Sequence, residues 1–279
     1  MPGPAAGFQL PGGRLIVGAY HGFCANFSSP GRCEKAGGAA FAFPIFSDDE
    51  GATWSWENGH AYDVGGTGAA ADGEAQVAPA PNGSLIMRTR TARHQPPGMA
   101  WSNDNGTSWT NVLPWTNDTA HAAIYQNNTC ACDAFAPATG ACCKSRTADP
   151  PRLCPSRSDK ECSRTKPVVC KNYSAYGPVG SFNTQGSVAR LPGSDWLVTS
   201  SPFSAYGRMN MTVFKSKDSG ASWRICAHIY DEFSGYSALA GLNATHAGLL
   251  WEISAVTPSG NPPGSGQPYY LAYTVVQIA

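Results

Sequence analysis

Three stretches of this chain repeat one eight-residue pattern: SDDEGATW at 47–54, SNDNGTSW at 102–109 and SKDSGASW at 216–223. Each sets serine, aspartate and glycine two residues apart and closes on tryptophan. The copies are Ser47, Asp49, Gly51 and Trp54; Ser102, Asp104, Gly106 and Trp109; and Ser216, Asp218, Gly220 and Trp223. Serine and aspartate side chains bond turn amides and glycine accepts a positive φ, so each copy reads as a hairpin turn with its indole folded back over it. These residues are expected to be structural, not catalytic. A chain carrying the pattern three times is constrained to hairpins.

The rest of the sequence agrees. Glycine (31) and proline (22) punctuate it every few residues, and long runs of helical period are hard to find. Short β-prone runs recur at 15–20, 41–46, 84–90, 187–191, 195–200, 211–216 and 269–278. The expected class is all-β with many short strands. The repeated turns resemble the Asp-box repeats of β-propellers, and the first two begin 55 residues apart, about one four-stranded blade. The third begins 114 residues after the second, which implies an insertion. Residues 117–175 do not alternate like strands and hold seven of the ten cysteines: Cys130, Cys132, Cys142, Cys143, Cys154, Cys162 and Cys170. That segment reads as a disulfide-stapled loop in preference to a zinc site, and Cys24 with Cys33 closes a short loop of its own on the same reading.

Lysine plus arginine and aspartate plus glutamate both number 19, so nothing in the net charge favours nucleic acid. No apolar run is long enough for a transmembrane segment, and the six histidines lack metal-ligand spacing, so neither metal nor cofactor is expected. Ten cysteines and eight Asn-x-Ser/Thr sequons, at Asn26, Asn82, Asn105, Asn117, Asn127, Asn172, Asn210 and Asn243, point to the secretory route. The destination would be extracellular, cell-surface or lysosomal. The first residues, MPGPAAGFQLPGG, have neither the basic nor the apolar region of a signal peptide, from which an N-terminal segment preceding this chain is expected.

Beyond the turns, the chain resembles the sialidase (neuraminidase) family of Asp-box enzymes. The resemblance rests on GPAAGFQLPGGRLIVGAY, on DGEAQVAPAPNGSLIMRTR, on SSPFSAYGRMNMTV before the third turn, on GYSALA and on LLWE. It implies a six-bladed propeller over 1–279, incomplete at its N-terminus and interrupted by the cysteine-rich loop. It also implies a catalytic Glu74, substrate-binding Arg90 and Arg208, a nucleophilic Tyr236 and an arginine-supporting Glu252. Arg88 shares a strand face with Arg90 and is the residue most easily confused with it.

The implied chemistry explains these residue types. Sialic acid carries a carboxylate on its anomeric carbon, so a carboxylate nucleophile would push one anion against another; a neutral tyrosine avoids this, as in the family. A phenol of ordinary pKa near 10 needs a base, the part assigned to Glu74. Guanidinium forks match the substrate carboxylate. The resemblance therefore implies an exo-α-sialidase acting with retention on terminal sialic acids of glycoproteins, gangliosides or oligosaccharides.

Two family elements have no counterpart in this sequence: the first of the three arginines with which the family binds the substrate carboxylate, in an Arg-Ile-Pro strand, and the acid/base aspartate that follows it. Arg14, Asp48, Asp49 and Asp72 are not substitutes. The activity of the chain as given is thus in question. The rival expectation is a catalytically impaired Asp-box propeller that binds sialylated glycans or protein partners. A sorting-receptor-like propeller is a third reading, disfavoured because it gives no reason for Arg90, Arg208, Tyr236 and Glu252 to occur together.

Overall fold

The computed structural model describes residues 6–22, 40–55, 71–91, 97–110, 113–114, 168–169, 184–203, 208–254 and 269–279. Nearly all of the cysteine-rich loop, Cys24, Cys33 and the sequons at Asn26, Asn117, Asn127 and Asn172 lie outside them.

Every β-prone run named above forms strand. The first sheet holds β1 (Phe8–Gln9), β2 (Leu15–Gly22) and β3 (Ala40–Ser47), and the second β4 (Ala71–Pro79), β5 (Leu85–Thr91), β6 (Gly98–Ser102) and β7 (Leu113–Pro114). After β8 (Val168–Val169), the third sheet comprises β9 (Ser187–Arg190), β10 (Leu197–Pro202), β11 (Met209–Ser216) and the first half of β12 (Arg224–Gly241). The second half of β12 opens the fourth sheet, followed by β13 (His246–Ser254) and β14 (Tyr269–Gln277). Consecutive strands pair antiparallel in the manner of propeller blades; β8 departs from this, lying parallel to β14. The described residues thus form four small blade-like sheets, none closed on itself. Within 117–175 the described residues are Val168–Val169, the two-residue β8.

Three apolar clusters explain how the sheets stack. Ile16, Ala75, Val77, Leu85 and Met87 lie between the first and second sheets. Ala78, Ile86, Val188, Leu197 and Phe214 lie between the second and third. Val198, Met211, Val213, Leu249 and Val276 lie between the third and fourth. On β5, Leu85 and Met87 enter one cluster and Ile86 the next, as period-two alternation requires of a strand covered on both faces.

The three repeats form one turn. Ser47 Oγ donates to Asp49 Oδ1 (2.7 Å) and accepts the Gly51 N–H (2.8 Å), while Asp49 accepts the Thr53 N–H (2.8 Å) and hydroxyl (2.6 Å). Ser102–Asp104–Ser108 and Ser216–Asp218–Ser222 repeat this network. Gly51, Gly106 and Gly220 have φ of 92°, 88° and 88°. The indole N–H groups of Trp54, Trp109 and Trp223 donate to these glycines' carbonyls at 3.1, 3.0 and 2.9 Å. Their surroundings differ. Trp223 is buried between the second and third sheets and Trp109 packs between the first and second, whereas Trp54 is 45% exposed. Trp109 and Trp223 each pack against the preceding sheet, and among the described residues no sheet precedes the first.

The turns make the fold acid-sensitive. Hydrogen bonds from the Thr53 hydroxyl and amide, then from Ser47, hold the Asp49 carboxyl down at about 2. At Asp104 and Asp218 burial pushes the other way, but hydrogen bonds from Ser108 and Ser102, and from Ser222 and Ser216, leave both below the ordinary 3.8. A carboxyl depressed by folding contributes stability that is present above its unfolded value and is lost as pH falls through its folded value. We expect the melting temperature to fall as pH drops from 3.8 toward about 2, and the slope to flatten in Asp49→Asn. Thermal unfolding as a function of pH measures both.

Candidate functional site

The Asp-box turns occupy one end of the strands. Leu85 pairs with Ser102 and Leu197 with Ser216, so the second and third turns leave the ends where β5 and β10 begin. Arg90 is near the other end of β5, roughly 16 Å along the strand, and Arg208 just precedes β11 at the corresponding end of the third sheet.

Two irregular pairings gather the side chains. Between Ala71↔Thr91 and Ala75↔Thr89, residues 72–74 of β4 face Arg90 alone. The extra residues bend β4 and bring the Glu74 carboxylate onto the Arg90 guanidinium, Nη1 to Oε2 at 2.7 Å. Between Ser234↔Ile253 and Ser237↔Trp251, Gly235 and Tyr236 face Glu252. A bulge removes an amide from the ladder, and here the Tyr236 N–H donates to Glu252 Oε2 at 2.9 Å. Glycine is needed beside it, because a Cβ on Gly235 would stand 2.2 Å from that oxygen. The Glu252 carboxylate therefore acts on the tyrosine backbone, a contact absent from the sequence expectation of arginine support.

The Tyr236 hydroxyl donates to Glu74 Oε1, and Arg90 Nη1 donates to the same phenolic oxygen at 3.0 Å. One guanidinium nitrogen thus bridges both members of the Tyr–Glu pair. The Arg208 guanidinium carbon lies 5.5 Å from the centre of the Tyr236 ring, within cation–π range. Arg208 is tethered by its carbonyl, which accepts the Ser234 N–H at 2.8 Å, and Ser237 by its amide, bonded to Gln185 Oε1 at 3.2 Å. Glu74, Arg90, Arg208, Tyr236 and Glu252, which span 179 residues of sequence, are therefore one cluster. Burial, then the hydrogen bond and charge of Glu74, push the phenol up to about 12 against the opposing charges of Arg90 and Arg208. The resting phenol is neutral, with an acceptor for its proton and a cation on its oxygen. Such an arrangement supports attack by the phenolic oxygen with proton transfer to Glu74. Among the described residues no cluster of histidine, cysteine and carboxylate could hold a metal.

Every aspartate whose side chain is described, namely Asp48, Asp49, Asp104, Asp195 and Asp218, belongs to the turn end of its sheet. Asp48 is gripped there by Arg14, Nε to Oδ1 at 2.6 Å and Nη2 to Oδ2 at 2.7 Å, and Arg14 Nη1 also donates to the Asn105 carbonyl. Arg14 joins the first two turns. What the sequence reading did not find is that Arg88 is wholly buried beside this cluster and that Gly235 makes room for Glu252.

Two outcomes are expected. Gly235→Ala should displace the Glu252 carboxylate and cost about 1–3 kcal/mol in urea unfolding, the scale of an orphaned buried donor. In alkaline absorbance titration, Tyr236→Phe should abolish a phenol that ionises near 12.

No family model and no curated protein matches this sequence. Solved structures do match its fold. A Hadza microbial sialidase, Hz136, aligns with a TM-score of 0.55 at 18% identity, covering 100% of this chain and 38% of that one. The intramolecular trans-sialidase from Ruminococcus gnavus, in complex with oseltamivir carboxylate, aligns at 0.52 and 17%, covering 99% and 44%. A protein of unknown function from Dyadobacter fermentans aligns at 0.54 and 14%, covering 99% and 54%. This chain spans less than half the length of the two sialidases, and at such identities the likeness is one of fold: the described sheets share the architecture of sialidase-type proteins.

Proposed function

We propose that the chain is an Asp-box propeller of the six-bladed sialidase type that recognises terminal sialic acid on glycoproteins, gangliosides or oligosaccharides. It carries the nucleophile half of a retaining exo-α-sialidase. The observation that supports this reading most is the Tyr236 hydroxyl on the Glu74 carboxylate with Arg90 bridging both. Arg90 and Arg208 take the substrate carboxylate. The Tyr236 oxygen attacks the anomeric carbon, its proton passes to Glu74, and the bond to the aglycone oxygen breaks, leaving a tyrosyl-linked sugar that water then releases. Glu252 fixes the tyrosine through its amide.

A second reading, a catalytically impaired propeller that binds sialylated glycans or protein partners, is favoured by the aspartates. Those with described side chains are all at the turn end, and Asp48 and Asp49 are already engaged by Arg14 and by Ser47 and Thr53. An ordinary sugar alkoxide leaves poorly without a proton, and general acid catalysis typically contributes about 10²–10⁴-fold. An aryl oxide leaves without one.

One comparison separates the readings. The chain is assayed on an aryl α-sialoside and on sialyl-lactose, and both wild type and Tyr236→Phe are titrated with sialyl-lactose by calorimetry. Turnover of the aryl substrate that vanishes in Tyr236→Phe while binding persists is the result expected for the tyrosine nucleophile. Turnover of sialyl-lactose within tenfold of the aryl substrate excludes impairment. Binding without turnover of either substrate leaves the lectin-like reading, and absence of binding overturns both the sialidase and the glycan-binding readings.

A further inference from the structure

Arg88 is the largest fully buried side chain among the described residues, 1% exposed. It lies on β5 two residues before Arg90 and on the same face, roughly 7 Å along the strand. Its guanidinium crosses to the third sheet, where Nη2 donates to Ser201 Oγ at 3.3 Å. It packs so tightly on Gly186 that a Cβ there would lie 2.3 Å from Nη2 and 2.5 Å from Cζ. Its Nε is buried without a hydrogen-bond partner. Glu74 is the carboxylate whose charge acts on it, and Glu74 is already bound by Arg90 and Tyr236.

A buried guanidinium held by one long hydrogen bond is a poor way to join two sheets. Apolar side chains of similar volume usually do so at no loss of stability, because a buried ion gives up its hydration. Its charge is what an apolar residue would not supply. Arg88 adds its positive charge beside those of Arg90 and Arg208, and the carboxylate whose charge acts on it, Glu74, is shared with Arg90 and Tyr236. Burial pushes the Arg88 guanidinium down to about 9, which leaves it charged at neutral pH.

We propose that Arg88 is a positioning residue whose buried, under-compensated charge raises the positive potential at the site and so strengthens its preference for carboxylate-bearing sugars over neutral ones. It does this without touching the ligand. The inference rests on the functional reading above.

The test uses Arg88→Met and Arg88→Lys in the full chain, with 2,3-didehydro-sialic acid and its methyl ester as ligands in calorimetry, and thermal melts alongside. Arg88→Met should retain or raise the melting temperature and keep its affinity for the ester. Its affinity for the acid should fall roughly tenfold, the scale of a unit charge about 10 Å away at an effective dielectric near 20. Arg88→Lys should keep most of the preference for acid over ester. An unchanged acid-to-ester ratio in Arg88→Met overturns the proposal. So does a lower melting temperature with equal losses for both ligands, which would mark Arg88 as a structural link. Failure of the wild type to bind either ligand defeats the functional reading instead, and this inference with it.

Discussion

Successive sheets are held together where their leading strands run too close for ordinary side chains to fit between them. A Cβ on Gly18 of β2 would lie 2.3 Å from the Ala75 carbonyl of β4. One sheet further on, Gln76 Oε1 accepts the Val188 N–H at 2.9 Å, and beyond that Ser187 Oγ accepts the Leu239 N–H at 2.8 Å. Strands at this separation expose amides with no ladder to join, and a buried amide must be satisfied. Glutamine and serine therefore replace aliphatic residues along this line.

The same close approach explains the site. Polar strands pinned to their neighbours at fixed heights tolerate bulges, because their amides already look to side chains for partners. Glu74 and Tyr236 each occupy such a bulge, on β4 and β12, and meet across the gap between sheets. Neither residue would reach the other from a regular ladder. Ser237, next to the tyrosine, is bonded through its hydroxyl to Ser200 at 2.8 Å and through its amide to Gln185, which places the ring with little freedom.

What the sequence made legible follows from the range of the interactions. The Asp-box turns close within eight residues, so their bonding was readable from spacing alone. β5 and β11 alternate between two apolar clusters and announced themselves as strands. β4, with its Asp-Gly-Glu, and β12, with Gly235 and a run of polar residues, did not stand out as strands because the stretches that form their bulges interrupt the apolar positions at Ala75, Val77, Ile225 and Leu239. The five candidate residues were singled out through resemblance, but Glu252's contact with an amide was not legible, since the bulge at 235–236 exists only once β12 pairs with β13. Arg88 and Arg90 looked equivalent on alternation. Their depths differ because Gly186 and Ser201, about a hundred residues away, close over the first and not the second.

β12 is one continuous strand of 18 residues that ends the third sheet and begins the fourth. Any separation of those two sheets would have to break the strand's own backbone course, whereas the second and third are joined by side chains and apolar contact alone. The last two sheets are consequently expected to unfold as one cooperative unit. Tyr236, Arg208 and Glu252 all belong to that unit; Glu74 and Arg90 do not. The cluster therefore spans the junction between that continuous pair of sheets and the second sheet.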